Sequence, residues 1–167
     1  MKNFKINRKV KEGSYKLEDI FSGLENSWIV KNVLKDKFEN MKKTVEIRVV
    51  RCKGYMWVDD IDGSIYICLE YLRKGKKEYL YLDLLHELIH VDQLKRGMNL
   101  YDTRFSYIER PTELEAYKYT VEEAKNIGLS LEEIIEYLHV DWISKEEVLI
   151  LAKKNKFDLV ILNFICF

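Results

Sequence analysis

Proline occurs once, at Pro111, and glycine only seven times in 167 residues. With so few breakers and many lysines and glutamates, a helix-rich protein is the expectation. Net charge is also missing: 28 basic residues balance 28 acidic ones, so nothing global argues for nucleic acid or an anionic surface as partner. Cysteine is sparse and odd in number. Cys52, Cys68 and Cys166 form no C-x-x-C pair, and this predicts no disulfide framework. No apolar stretch reaches the ~18 residues of a membrane span, and no leader-like run opens the chain. A reducing cytoplasm is the expected compartment. The length suits a single domain with a genuine core.

Taken in order, residues 1–14 are basic and mixed and fit a short strand or a loose arm, of which the solvated arm is the expectation. Over 15–43 the apolar residues recur mostly at helical intervals, predicting one or two amphipathic helices broken near 23–27. The period then changes to two. Residues 44–51, 55–58 and 64–72 read as strands, and 59–63, with Asp59, Asp60 and Asp62, as a hairpin turn. Those aspartates lack the spacing and terminal glutamate of a calcium loop. Helices follow over 78–97, over 112–126 behind Pro111, from Ser130, and from Ser144; the last two open on capping boxes with Glu133 and Glu147. The result is an α+β chain with a small antiparallel sheet packed on one central helix and a mainly helical C-terminal half. Its regions are N-terminal helices and sheet over 1–76, a pair of helices over 77–127, and helices with an apolar tail over 128–167.

The central helix carries His86-Glu87-Leu88-Ile89-His90, an H-E-x-x-H pattern. Residues four apart lie one turn above each other, so both imidazoles can reach one ion. Glu87, about 100° away around the axis, can reach water beside that ion, where a general base belongs. Leu80, Leu84, Leu88 and Val91 fall opposite the histidines, with Leu82, Leu85 and Ile89 to one side. Both sides therefore ask for burial, and the histidines open into a cleft. The bland alternative is a pair of partly buried, hydrogen-bonded histidines.

Catalytic zinc keeps three protein ligands and an open position, so one more ligand is needed. Metzincins place a glycine three and a histidine six residues after the second histidine; Gln93 and Arg96 stand there instead. His139 is isolated in sequence. Glu113 and Glu115, in the first turns of the helix behind Pro111, are the better candidates, unless both merely favour the helix N-terminus through its dipole.

His86 to His90 followed by Arg110-Pro111-Thr112-Glu113-Leu114-Glu115-Ala116 resembles the gluzincin metallopeptidases, over about residues 79–123. The compact size and lack of a membrane span most resemble the minigluzincins. In related membrane peptidases the second helix reads E-x-x-A-D, with its first glutamate on zinc. Matching Ala116 puts Glu113 at the ligand position and Tyr117 where the relatives have aspartate, so Asp83 or Glu115 is left to orient a histidine.

The resemblance implies a zincin-like fold, a Zn2+ ion on His86, His90 and Glu113 with Glu115 as the alternative third ligand, and a peptide or protein substrate. Glu87 would be the general base. Tyr101, Tyr107 and Arg110, on the returning loop, are candidates to stabilise the developing oxyanion, and strand 64–72 to offer an edge to an extended peptide. A catalytically silent zinc-containing regulatory or interaction protein is the alternative. Latent minigluzincins carry a C-terminal segment that obstructs the cleft, and the apolar tail 159–167, with Cys166 brought toward the metal, is the candidate here; its alternative is a terminal strand or plug of the core.

Removing residues 159–167 should raise turnover of a casein or peptide substrate if the tail is inhibitory. An unchanged rate in a truncation that still folds, judged by circular dichroism, would count against latency.

Overall fold

The structure, a computed structural model, describes residues 3–140 and 143–154, so the tail at 159–167 with Cys166 lies outside the described residues. The chain opens with strands β1 (Lys5–Ile6) and β2 (Gly13–Lys16), a single turn α1 (Leu17–Ile20), and β3 (Phe21–Ser22), which pairs antiparallel with β1. The expected solvated arm is therefore pinned. Phe4 is 1% exposed, stacked on Phe21 and edge-on to Tyr81, while Arg8 donates to the carbonyls of Leu72, Arg73 and Gly75 at 2.8–3.1 Å. Gly23 permits this closure: its φ is +81°, and a Cβ there would lie 2.1 Å from the Asn3 carbonyl oxygen.

Residues 15–43 are more broken than their periodicity suggests. After α1 and β3 come a π-type turn (Val30–Leu34) and α2 (Lys37–Thr44). Lys35, at φ 49°, interrupts the two.

The next three strands are β4 (Glu46–Val50), β5 (Met56–Val58) and β6 (Ile65–Cys68), in the sheet order β2-β4-β6-β5. Alternation assigns the faces. Ile47, Val49, Met56, Val58, Ile65 and Ile67 are buried on one side, and Arg48, Trp57 and Tyr66 lie on the other. The sheet is mixed, not antiparallel as expected, because β6 inserts between β5 and β4 and runs parallel to β4.

The expected strand 64–72 is consequently interior and shorter. It stops at Cys68, where Leu69 and Leu72 begin a buried helical face in α3 (Leu69–Lys74); that apolar run fitted either period. The edge strand is β5. Asp59 donates its N–H to Ser64, and Cys68 to the carbonyl of Tyr55, so the backbone of Met56 and Val58 faces away from β6. Asp59 and Asp62 are occupied in the turn, accepting from the backbone N–H groups of Ile61 and Ser64.

Cys52 and Cys68 form a disulfide, contrary to the sequence expectation, with Cα atoms 5.1 Å apart. Parallel pairing explains it: Val50 is registered against Cys68, so a residue two beyond β4 meets the end of β6. A separation of 16 residues gives no hint of that neighbourhood.

The helical half matches its sequence signals. Helix α4 (Lys77–Lys95) is buried at every residue from Leu80 to Gln93 except Asp83, consistent with apolar residues all round it. Helix α5 (Pro111–Asn126) lies along it, with Pro111 in its first turn, where a missing N–H costs nothing. Glu123 of α5 is 2% exposed. Its carboxylate accepts from the Tyr81 hydroxyl at 2.7 Å and the Ile29 N–H at 2.9 Å, tying α4, α5 and the N-terminal region together. Helices α6 (Leu131–Leu138) and α7 (Lys145–Lys154) both begin on the expected capping boxes. No described helix is long and apolar enough to cross a membrane.

Opening the disulfide by Cys52→Ser should remove about 3 kcal/mol of loop-closure stabilisation, lowering Tm by roughly 6–12 °C. Thiol alkylation of the unreduced, denatured wild type should label Cys166 alone; labelling of all three cysteines, or an unchanged Tm in the variant, would remove the bond from the account.

Candidate metal centre

The absence of Pro and Gly from α4 keeps its axis regular, and this stacks His86 above His90. Their Nε2 atoms stand 2.9 Å apart, with the rings edge to face. Pro111 starts α5 so that Glu113 falls in its first turn, pointing at the same spot: its two oxygens lie 3.3 Å from His86 Nε2 and 3.5 Å from His90 Nε2. All three residues are buried, and their ligand atoms lie within 4.8 Å of one another. The donors of a tetrahedral ion bound at about 2.0–2.1 Å are about 3.3 Å apart. The observed separations of 2.9–3.5 Å therefore fit a single shared ion. This group could hold a metal.

A second layer fixes the rings. His90 Nδ1–H donates to Gln93 Oε1 at 2.7 Å, leaving Nε2 as the free donor atom toward the centre. Gln93, fully buried, in turn donates to the Thr112 carbonyl at 2.9 Å and to Glu115 at 2.8 Å. On the other side, His86 Nδ1 lies 3.5 Å from the Thr120 hydroxyl, which itself donates to the Ala116 carbonyl. Tyr117, standing where an aspartate was sought, packs its ring edge against His86.

The remaining candidates are sorted by these contacts. Glu115 turns to Gln93 and to Arg96, the latter at 2.6 Å, and is outside the convergent group. Asp83 does not orient His86; it accepts from the hydroxyls of Tyr71 and Tyr137. His139 is exposed at the end of α6. Gln93 and Thr120 are the residues that sequence reasoning missed, although Gln93 sits one turn after His90, where a side-chain acceptor can meet a ring nitrogen.

Electrostatics follow from the crowding. Burial and the charge of His90 hold His86 below the ordinary imidazole range. Burial also opposes a charge on His90, but hydrogen bonding and attraction from Glu113 outweigh it and lift His90 to about 9. Glu113, despite its own burial, is held well below the usual carboxylate range by both histidines. Glu87 is pushed up to about 8 by burial, against the pull of the His90 charge. An anionic carboxylate facing two imidazoles is the donor set of a divalent cation.

A cleft of about 290 Å³ opens over this group. Met56 and Trp57 of the edge strand form part of its wall, with Glu87, Tyr101, Tyr107 and Arg110 around the centre. The Tyr101 hydroxyl donates to the Val58 carbonyl at 2.5 Å, and the hydroxyls of Tyr107 and Tyr117 share a hydrogen bond. Arg110 Nε is buried with no acceptor among the described residues. No known protein family, curated protein or solved structure matches the chain.

Because Gln93 fixes the His90 ring, Gln93→Ala should weaken metal binding roughly 10- to 100-fold. Glu115→Gln should change it far less than Glu113→Gln. Competition against a chromophoric chelator measures both, and a loss for Glu115→Gln as large as that for Glu113→Gln would overturn the choice of Glu113.

Proposed function

We propose that the chain is a zinc-dependent peptidase of the gluzincin type, with His86, His90 and Glu113 as metal ligands. The observation that carries this reading is the convergence of those three side chains beneath an open cleft that also holds the Glu87 carboxylate. Two imidazoles and one carboxylate are a His₂Glu set, which in hydrolytic sites leaves a position for solvent. The central helix beneath a sheet whose edge strand borders the cleft supports the zincin-like reading as well.

Zinc held there would supply Lewis acidity, acidifying water and polarising a carbonyl oxygen. Glu87 takes the proton of the attacking water as its oxygen bonds to the carbonyl carbon. It then delivers that proton to the amide nitrogen as the C–N bond breaks. Burial raises the Glu87 carboxyl above the ordinary glutamate range, and the positive charge of a bound cation would act against that rise and bring it toward neutrality. Among the three oxyanion candidates, Arg110 keeps a buried N–H without an acceptor, whereas the Tyr101 proton is committed to Val58.

An extended substrate would pair with β5, not with the interior β6, through the outward backbone of Met56. The disulfide favours an oxidising surrounding over a reducing cytoplasm.

Glu87→Gln should retain one zinc per chain by elemental analysis yet lose roughly 10²- to 10⁴-fold in peptide hydrolysis. His86→Ala should lose both metal and activity. A zinc-loaded wild type that cleaves nothing across a broad peptide library, with and without residues 159–167, would turn the reading to a silent zinc-containing interaction protein.

A further inference from the structure

A second, smaller recess of about 50 Å³ adjoins the cleft and shares Tyr55, Met56, His86, Glu87 and Tyr107 with it. Asp83, Tyr117 and Tyr137 complete its polar wall. Asp83 is the one residue between Leu80 and Gln93 on α4 that is part-buried rather than buried, and it lines the recess. Its carboxylate accepts two phenolic hydroxyls, from Tyr71 and Tyr137. A carboxylate offers about four acceptor sites, so half of its capacity is open. Among the described residues no lysine or arginine pairs with it, and no cation contributes to its electrostatic surroundings. An acid that accepts two phenolic hydroxyls and has no counter-charge is an arrangement that attracts a cation by charge.

Size narrows the choice. One water needs roughly 10–15 Å³ on this measure, so the recess admits a thread of about three to five heavy atoms. The terminal methylenes and ammonium of a lysine fit that description; an indole or phenyl ring does not. Position narrows it further. Asp83 lies one turn before His86, and side chains three apart on a helix stand about 5–6 Å apart. A lysine chain spans that distance from a residue held beside the reacting carbonyl.

We propose that this recess is a specificity pocket for the primary ammonium of a lysine side chain adjacent to the scissile bond, with Asp83 as its counter-charge. The proposal rests on the peptidase reading for its substrate, but the recess and its charge are independent of turnover. Asp83 here selects and positions substrate; it takes no part in the proton transfers assigned to Glu87.

The test uses three peptides that differ only at the residue beside the scissile bond: lysine, acetyl-lysine and norleucine. Cleavage is followed with the wild-type chain, and binding is measured by calorimetry with zinc-loaded Glu87→Gln. Lysine should exceed the two neutral residues by roughly tenfold or more in both assays, the scale expected when a buried charge is matched rather than left alone. Asp83→Asn, introduced alone and beside Glu87→Gln, should bring that ratio to about one at unchanged zinc content. A ratio near one in binding to Glu87→Gln overturns the pocket whether or not any peptide is cleaved, and so does a lysine preference that survives Asp83→Asn. Lysine-selective binding with no cleavage of any peptide, by the wild type or by the chain lacking residues 159–167, supports the pocket and counts against the peptidase reading.

Discussion

Two imidazoles and a carboxylate cannot share a buried site unless their lone pairs and N–H groups find partners, and this requirement organises the molecule around α4. His90 is satisfied away from the centre by Gln93, and Gln93 by α5 through Thr112 and Glu115. His86 leans on Thr120 of the same helix. Both rings therefore owe their aim to α5, the helix that also delivers Glu113. The registry of α4 against α5 is thus set by polar contacts at one end and, toward the other, by Glu123 with Tyr81 and Ile29. Sliding either helix by a turn would orphan several buried groups at once.

Apolar packing supplies the stiffness that those contacts need. Leu80, Leu84, Leu85 and Leu88 are completely buried, and truncating any one of them would cost about 2–5 kcal/mol. The sheet covers one side of α4, α5 another, and the N-terminal segment a third through Phe4 against Tyr81. A helix enclosed in this way positions side chains more tightly than a loop can.

What could be read from the sequence was what depends on near neighbours along the chain. The H-E-x-x-H turn, the Pro111 start, the two capping boxes and the 59–63 turn are local patterns, and each stands where it was expected. The choice of Glu113 over Glu115 needed the alignment of Ala116 with a known pattern, because helix dipole and ligation both place acids in a first turn. What was illegible depends on pairing across the chain. Parallel registry of β4 with β6 decides both the disulfide and the interior place of β6, and no spacing in 44–72 encodes it. Phe4 was hidden in a basic, mixed stretch that gives no periodic sign of a ring in the core. Gln93 and Thr120 became meaningful only when two helices were brought side by side.

The edge strand carries a consequence of its own. On the outer side of β5, the carbonyl of Val58 is already taken by Tyr101, and its N–H is directed to Glu87. Among the described residues, Met56 is left as the one open rung on that side of the strand. A guest chain laid along it could zip for one step only, so its backbone would be indexed to the centre rather than gripped along its length. Discrimination and residence time would then fall to side chains on either flank, and long extended segments would gain little over short ones.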